Sequence, residues 1–464
     1  MARTAATLPA GSRITDYISL GVIAKTFPVA KIHAILEATG TTSIRERDLP
    51  AHVVVYYVIA LALYMQSSYR EVLRCLLEGV QWLLDPSAMV KVAGKSGISQ
   101  ARTRLGWEPV RQLHDEVVKP IAVRATRGAW YRQWRLVSID GSTFNVADEA
   151  ANDAAFGRPG ASRGSSAYPQ IRFVSLVENG THVLFGSQMA GYGTGEITLA
   201  KAVLTSLRPG MLCLADRQFF GFELWKVARD TGADLLWRIK KNMRLACEER
   251  LSDGSYLSHF YPSERDWRHK ANGVPVRVID YCLDGVADAE PIYRLVTTIL
   301  NHEKAPAAQL AALYHERWEI ETALDELKTH LRGAGIVLRS KTPDLVRQEF
   351  YGLIWAHDGS FCHPRPDARS GAQSRRRSRS ALVPPRRPRC PPQTRPFAGH
   401  SPPRQRRAFH DAVLDEILQE RVVSSRNRRN PRGVKRKMSN FPLRRRTNSP
   451  LPPISIGKAI RILK

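Results

Sequence analysis

The sequence has few cysteines, and their spacing marks neither a metal site nor a disulfide framework. Its 464 residues contain 6 Cys. They are scattered and form no C-x-x-C pair: Cys75, Cys213, Cys247, Cys282, Cys362 and Cys390. Free thiols in a reducing compartment are the favoured interpretation, and zinc fingers and disulfide-rich secreted domains are disfavoured.

Long apolar runs are also missing. The longest, from Val53 to Met65, is shorter than the roughly 20 residues that a bilayer-crossing helix needs, so we expect a buried helix and no membrane partner. The start, MARTAATLPAGSR, lacks the apolar centre of a secretory signal. A cytoplasmic protein is the expectation.

Acidic residues are scarce toward the C-terminus. Residues 358–464 hold 27 Lys and Arg against 6 Asp and Glu, so they carry +21 of the formal net charge of +27. A basic excess of this size indicates a polyanionic partner such as nucleic acid. Because most of the excess lies in the tail, it is weaker evidence for nucleic-acid binding by the first 357 residues than the charge of the whole chain suggests.

Helical periodicity dominates residues 1–127, which we expect to form an all-helical domain. A short polar helix in it, over 96–106, carries Arg102 and Arg104. The other helices are predicted at 14–26, 29–39, 51–66, 69–84 and 107–127. One interpretation is a helix-turn-helix-like corner that places a helix in a DNA major groove. The alternative is a helical cap that only packs on the next domain.

Residues 134–357 alternate between strand and helix patterns, which predicts an α/β domain. WRLVSID predicts a strand that ends in Asp140, before the turn residues Gly141 and Ser142, and MLCLAD predicts a second strand that ends in Asp216. Further strands are predicted at 171–177, 181–185, 235–240, 274–283 and 292–300, and helices at 196–207 and 219–231. The strand-rich part over about 234–303 is interpreted as an insertion.

The segment from Pro306 to Gly333 predicts one continuous amphipathic helix. At about 100° per residue, Tyr314, Arg317, Glu321 and Lys328 fall within roughly 60° of one another, beside an apolar stripe. Alone, this pattern is typical of any amphipathic helix with surface ion pairs.

Three carboxylates from separate elements suggest a shared site. Ligand sites gather where the strands of open α/β sheets end, so Asp140 and Asp216 would face each other on neighbouring strands, with Glu321 beside them. Unaided, three carboxylates would repel. A pair of Mg²⁺ ions would remove that repulsion and favour in-line phosphoryl displacement. The plainer alternatives are a turn-forming Asp140 and an ion pair between Asp216 and Arg217.

These residues resemble a known signature. Tyr314, two residues, Arg317, three residues, Glu321, six residues and Lys328 are similar to the tyrosine-arginine-glutamate-lysine motif of bacterial insertion-sequence transposases of the insertion-sequence-four type. The segments SIDGSTFNV, FGRPG and LCLADRQFFG resemble the catalytic-aspartate regions of that family. The likeness covers roughly residues 14–355.

The resemblance implies a ribonuclease-H-like mixed sheet with a β-rich insertion, preceded by an all-helical end-recognition domain and followed by a disordered basic tail. Asp140, Asp216 and Glu321 would be the catalytic acids and would bind two Mg²⁺ (or Mn²⁺) ions. The implied activity is cleavage and strand transfer at the terminal inverted repeats of an insertion element. A nuclease that cuts without joining, or a non-catalytic DNA-binding remnant, is the alternative.

The resemblance also implies how DNA is held. Arg317 and Lys328 would grip the phosphates and terminal nucleotides of double-stranded DNA, inverted repeat and target alike. Tyr314 would hold DNA together with them, Arg217 is a further DNA-binding candidate, and a bacterial DNA-binding protein of this kind is expected at the nucleoid. The family acts as a homodimer on paired ends, and some members stack a flipped base on a tryptophan of the insertion. Trp237 and Trp267 are the candidates here.

The likeness stops after His357. Residues 358–400 hold 10 Arg and 8 Pro but no Lys, Glu or Ile, a composition that cannot form packed helices. One interpretation is a disordered DNA-binding arm. The preferred one is a frameshifted stretch over about 358–401, which predicts that another reading frame of the gene encodes helix-forming sequence there; stop codons in both other frames would exclude it. An amphipathic helix over 402–422 and a basic tail complete 402–464.

Overall fold

The structure, a computed structural model, describes residues 27–44, 49–65, 67–84, 93–161, 164–240, 243, 245–285, 289–331, 337–359 and 456–463. The predicted helices over 14–26 and 402–422 and nearly all of the Arg- and Pro-rich segment lie outside these residues. No helix within the described ranges has the length and apolar character that a bilayer span requires.

The N-terminal region is helical, as predicted. Its helices are α1 (Val29–Ala38), α2 (Ala51–Leu63), α3 (Tyr69–Leu84), α4 (Lys95–Leu105) and α5 (Glu108–Val117). The apolar α2 is buried. It packs so closely on Gly352 that a Cβ there would lie 2.7 Å from the carbonyl oxygen of Val58. The apolar run thus forms a core helix between the two parts of the chain.

The prediction that one helix spans 107–127 is wrong beyond Val117. Val118 is extended, and Pro120 has no N–H with which to continue a helix. The amides of Ile121 and Ala122 instead donate to a carboxylate oxygen of Glu178, each at 2.9 Å. A side chain of the sheet therefore replaces the helical hydrogen bonds here.

The polar helix α4 does not present both of its arginines to solvent. Arg102 is 2% exposed, and its guanidinium donates to Gln348 Oε1 at 3.0 Å and to the carbonyl oxygen of Leu345 at 2.9 Å. It also donates to Ser340 Oγ at 3.1 Å. Arg104, two positions along the helix, is exposed. The contacts of Arg102 therefore favour the interpretation that this part of the N-terminal region is a helical cap that packs on the next domain, over a helix placed in a DNA major groove.

One mixed sheet organises the rest of the described chain. Its strands are β1 (Trp130–Tyr131), β2 (Trp134–Asn145), β5 (Gln170–Glu178), β6 (Leu184–Gly191), β7 (Met211–Ala215), β8 (Asp234–Ile239), β9 (Glu249–Arg250), β10 (Tyr256–Phe260), β11 (Val274–Leu283), β12 (Tyr293–Thr297) and β13 (Ile460–Ile462). They run in the order β6-β5-β2-β7-β8-β12-β11-β10-β9, with two further strands at the side, β1 on β2 and β13 on β11. The strands predicted to form an insertion thus continue the same sheet as β2 and β7 instead of forming a separate layer.

Helices cover this sheet, and a short hairpin of β3 (Gly160–Ala161) and β4 (Gly164–Ser165) lies apart from it. The helices are α6 (Ala150–Phe156), α7 (Glu196–Leu204), α8 (Phe222–Asp230), α9 (Glu264–His269), α10 (Ala307–Tyr314), α11 (Trp318–Asp325), α12 (Pro343–Gly359) and α13 (Ile456–Ala459). The mixed α/β architecture behind a helical N-terminal region confirms the predicted class.

A short segment near the C-terminus adds a strand to the sheet. Strand β13 pairs antiparallel with β11, with Arg461 opposite Cys282, and the Arg461 guanidinium lies 2.7 Å from a carboxylate oxygen of Asp284. Residues 456–463 therefore belong structurally to the insertion, although about a hundred residues separate them from α12.

Candidate active site

Two neighbouring parallel strands bring Asp140 and Asp216 to the same edge of the sheet. β2 and β7 pair in parallel, and their last paired residues are Ser138 and Leu214. Each aspartate lies two residues beyond its paired residue, and Asp216 directly follows β7. The two side chains therefore lie beside each other, as expected for strands that share this edge.

The expectation that a strand ends at Asp140 is wrong. β2 continues through Gly141 and Ser142 to Asn145, because this part pairs antiparallel with β5, with Asp140 opposite Ser175. Only the parallel partner stops near Asp140. The residues that predicted a turn are held extended by the neighbouring strand.

Burial raises the pKa of the Asp140 carboxyl. The Gly141 N–H, which donates to Asp140 Oδ1 at 2.8 Å, and the positive charge of Arg317 oppose this effect, and the negative charge of Asp216 adds to it. Burial disfavours the charged form of a carboxyl, so a cation that binds there stabilises the ionised Asp140.

Arg317 is the cation that the three carboxylates share. One guanidinium nitrogen lies 3.8 Å from Asp140 Oδ2, and another lies 3.3 Å from Glu321 Oε1. Burial lowers the pKa of Arg317, but the neighbouring Tyr314 and the carboxylates of Asp216, Asp140 and Glu321 outweigh it, and the net shift is upward. Arg317 therefore stays charged, contacts the carboxylates of Asp140 and Glu321, and lies within electrostatic reach of Asp216.

The predicted continuous helix is interrupted at this point. α10 ends at Tyr314, residues His315–Arg317 form a 3₁₀ turn, α11 follows, and Glu326–Leu331 is π-helical. No Gly or Pro lies between 307 and 331, so local propensity does not explain the breaks, which tertiary contacts must hold. The 60° arc calculated for a regular helix therefore does not apply, although Arg317 and Glu321 remain neighbours.

The other signature residues differ in exposure. Tyr314 is buried, and its hydroxyl donates to the carbonyl oxygen of Ala215 at 3.3 Å, one residue before Asp216. Burial raises the pKa of the Tyr314 hydroxyl, so it stays protonated. Lys328 donates to Ser142 Oγ at 2.9 Å, and Arg217 is exposed, with its guanidinium 3.5 Å from Glu290. Tyr314 thus anchors the end of α10 to the end of β7.

Glu196 is an acidic neighbour that the sequence did not reveal. It begins α7, and a Cβ at Gly141 would lie only 2.8 Å from its Cδ. Its Oε2 accepts from Gln218 Nε2 at 3.2 Å. Burial and the charge of Asp140 raise the pKa of Glu196. An acid in the first turn of a helix is common, so the sequence offers no signal that separates Glu196 from an ordinary helix start.

The two tryptophans proposed for base stacking differ in accessibility. Trp237 is fully buried in β8 and packs edge-on against Trp225, with ring centroids 5.3 Å apart, so its candidacy is wrong. Trp267 lies on α9 in the insertion and is half-exposed. The ammonium of Lys270 lies 5.3 Å from its ring centroid. Stacking of a flipped base on Trp267 stays a prediction.

The donors fit a hard divalent cation in chemistry, since carboxylate oxygens are the ligands that Mg²⁺ and Mn²⁺ prefer. Their arrangement, however, is centred on Arg317. Within the described parts of the chain, no three His, Cys, Asp or Glu side chains converge as metal ligands. Asp140, Asp216 and Glu321 can therefore bind one ion together only if the Arg317 guanidinium moves away from them.

Comparison with known proteins assigns the class. Residues 133–358 match the model of the transposase DDE domain, and residues 17–115 match the insertion element 4 transposase N-terminal model. The chain is thus a DDE transposase, a class that generally uses divalent metal ions.

Individual relatives narrow the class to a family. The chain is 27% identical over 335 residues to the transposase InsG for insertion sequence element IS4 of Escherichia coli (strain K12), which covers 70% of this chain and 72% of InsG. It is 25% identical over 232 residues to the putative transposase InsZ of the same organism, covering 50% of this chain and 74% of InsZ. The chain belongs to the insertion element 4 family of DDE transposases.

A solved structure, the piggyBac transposase synaptic complex with hairpin DNA, is a more distant match. It has a TM-score of 0.36 and 12% sequence identity, and the match covers 76% of this chain and 77% of that chain.

Proposed function

We propose that this transposase cuts and joins DNA at the terminal inverted repeats of its insertion element, with Asp140, Asp216 and Glu321 as the catalytic acids. The observation that carries the proposal is the pairing of β2 with β7, which puts two aspartates side by side, with Arg317 joining one of them, Asp140, to Glu321. The strand order, with three antiparallel strands (β6, β5, β2) followed by two parallel ones (β7, β8), supports a ribonuclease-H-like core.

The three carboxylates would hold two Mg²⁺ or Mn²⁺ ions. When bound, such ions supply the positive charge that activates a nucleophilic oxygen and stabilises the leaving oxygen of a phosphodiester. The contributions of the protein are positional. The Gly141 amide orients Asp140, and Tyr314 fixes the end of β7 before Asp216. Arg317 would balance the negative charge of the carboxylates while no metal ion is bound. With metal ions in place, its guanidinium would be released to contact a phosphate.

DNA contacts are assigned to the basic residues at the rim. Lys328 and Arg217 lie at the edge that carries the acids, and Arg317 lies between those acids. A guanidinium fork and an ammonium both suit phosphate oxygens. Tyr314 is placed beneath them, so its part in DNA binding would be to support Arg317. A homodimer on two paired ends is the assembly that we infer for the reaction, which takes place on DNA in the bacterial cytoplasm.

Lys328→Ala is expected to weaken binding of end DNA and to lessen its dependence on salt. One lost phosphate contact lowers the slope of log K against log[salt] by about 0.9. Fluorescence anisotropy of labelled inverted-repeat DNA over a salt series measures this slope. Lys201→Ala, an exposed lysine on α7, is the matched control and should leave the slope at the wild-type value. An equally unchanged slope in Lys328→Ala would remove Lys328 from the phosphate contacts.

The proposed function is tested by a joining assay on the full chain. Labelled inverted-repeat DNA and an unlabelled target plasmid are incubated with the protein in Mg²⁺ or Mn²⁺, and products are separated on a denaturing gel. The proposal predicts cleaved ends and label covalently joined to the plasmid. Cleavage without joining would favour a nuclease, and binding without cleavage would favour a DNA-binding remnant.

A further inference from the structure

A buried group of four titratable side chains lies beside the catalytic helix and outside the acid triad. His182 Nδ1 lies 2.7 Å from Glu326 Oε2, and His182 Nε2 lies 2.9 Å from Glu319 Oε2. His357 Nε2 lies 3.9 Å from the same oxygen of Glu326. His182 and Glu326 are 6% exposed and His357 is fully buried. One imidazole therefore bridges two carboxylates of the helix inside the protein.

The two carboxylates lie on either side of a helix junction. Glu319 is in α11, two residues before Glu321, and Glu326 is the first residue of the π-helical segment. A bridge between them spans the junction at Asp325. Short π-helical segments are strained departures from α-helix that collect at functional sites, and a contact of this kind can hold one in place.

The other end of the bridge is fixed to the sheet. His182 lies in the turn between β5 and β6, where its φ of 64° is in the left-handed region that non-glycine residues seldom adopt. Its amide donates to the carbonyl oxygen of Glu178 at 3.0 Å. β5 is also the strand that pairs with β2, with Ser175 opposite Asp140. The bridge thus ties the helix of Glu321 to the strand next to Asp140.

The charges favour the bridge. Burial alone lowers the pKa of His182, but Glu326 and Glu319 outweigh it and raise the pKa to about 10. The imidazole is therefore a cation at neutral pH, and it donates from both ring nitrogens to the two carboxylates. His357 differs, because burial lowers its pKa to about 4 and it remains neutral. One cation between two anions is a stronger connection than two neutral hydrogen bonds.

We propose that His182 is a positioning residue for the reaction: by holding Glu319 and Glu326 at once, it sets the helix junction so that Glu321 faces Asp140 and Asp216. The inference rests on the proposed role of Glu321 as a catalytic acid. It gives a function to a turn residue that lies outside the tyrosine-arginine-glutamate-lysine signature. It also makes α12, whose His357 completes the group, part of the support for the site.

The test uses the full chain and two readouts. His182→Gln keeps a polar side chain but cannot place a cation between the carboxylates. Removing partners that orient metal ligands typically costs 10- to 100-fold in metal affinity or activity, so we expect Mn²⁺ affinity, measured by calorimetry, to fall roughly 10-fold. The single-turnover cleavage rate of DNA-bound protein should fall by a similar factor, while affinity for end DNA stays within about 2-fold of wild type, since no phosphate contact is lost.

His259→Gln is the matched control, because His259 also pairs with a glutamate, Glu248 at 2.8 Å, but does so at the surface. It should match wild type in both readouts. Glu319→Gln removes one side of the bridge and leaves the bond between His182 and Glu326 in place. If thermal melting shows that His182→Gln is unfolded, the Mn²⁺ affinity and cleavage rate of Glu319→Gln test the proposal instead.

Glu321→Gln distinguishes failure of the positioning role of His182 from failure of the proposed catalytic role of Glu321. If it lowers Mn²⁺ affinity while His182→Gln and Glu319→Gln bind Mn²⁺ and cleave as wild type does, the positioning role of His182 is overturned and that of Glu321 stands. If Glu321→Gln itself leaves Mn²⁺ affinity unchanged, the proposed role of Glu321 fails. Calorimetry gives this answer even where cleavage is too slow to measure.

Discussion

Asp140→Asn, Asp216→Asn and Glu321→Gln are each expected to lower the strand-cleavage rate by about 10³-fold, since metal-assisted phosphoryl transfer draws several kcal/mol from the charge that the carboxylates hold in place. Binding of end DNA should persist, because these residues carry no phosphate contact. The amide variants preserve size, and in Asp140→Asn the side-chain amide oxygen can still accept from the Gly141 N–H. Single-turnover cleavage and anisotropy on the same DNA measure the two quantities separately.

Asp230→Asn is the matched control for this series. Asp230 is an exposed aspartate at the end of α8 whose nearby partner is Arg229 on the surface, so its variant should cleave at the wild-type rate. A triad variant that cleaves as fast as this control is not required for the chemistry, and its residue would lose its assigned role.

Arg102→Met is expected to destabilise the fold by about 2–4 kcal/mol, because it removes charge-assisted hydrogen bonds and leaves buried acceptors on Gln348, Ser340 and Leu345 without their donor. These contacts join α4 to α12 and to Ser340 just before it. The free energy of unfolding from urea titration measures the effect. Affinity of the folded protein for DNA should change little, since the guanidinium cannot reach a DNA groove.

Arg104→Met provides the comparison, since Arg104 lies on the same helix with an exposed side chain. Its effect on stability should stay within about 0.5 kcal/mol. If Arg102→Met left stability unchanged and weakened end binding instead, the helix-turn-helix interpretation of α4 would replace the helical cap.

The periodicity of the sequence located most elements of the fold. The helix Tyr69–Leu84 and the strand Val274–Leu283 have the bounds that were predicted. One error arose where a tertiary partner overrides local preference. Gly141 and Ser142 favour a turn, yet pairing with β5 holds them extended. The predicted helix over 107–127 is a different kind of error, because Pro120 is a local signal against a continued helix, and the amides of Ile121 and Ala122 beyond it bind a buried glutamate of the sheet.

The candidate site was only partly predictable. Strand-terminal aspartates and a spaced helix motif led to Asp140, Asp216 and Glu321, because each pattern is local in sequence. The changes from α-helix to 3₁₀- and π-helix were not predictable, since no Gly or Pro marks them and contacts in this stretch, such as the one from His182 to Glu319, come from 137 residues away. Glu196 likewise reaches Gly141 only through the fold. A single sequence holds no local signal for such long-range approaches.

The central claim is that Asp140, Asp216 and Glu321 form one metal site around the place now taken by Arg317. Crystals of the full chain grown with Mn²⁺, measured at the manganese absorption edge, test it most directly. We expect anomalous density in contact with all three carboxylates and an Arg317 guanidinium displaced from them. Saturating Mn²⁺ bound only elsewhere, with Arg317 still between Asp140 and Glu321, would contradict it.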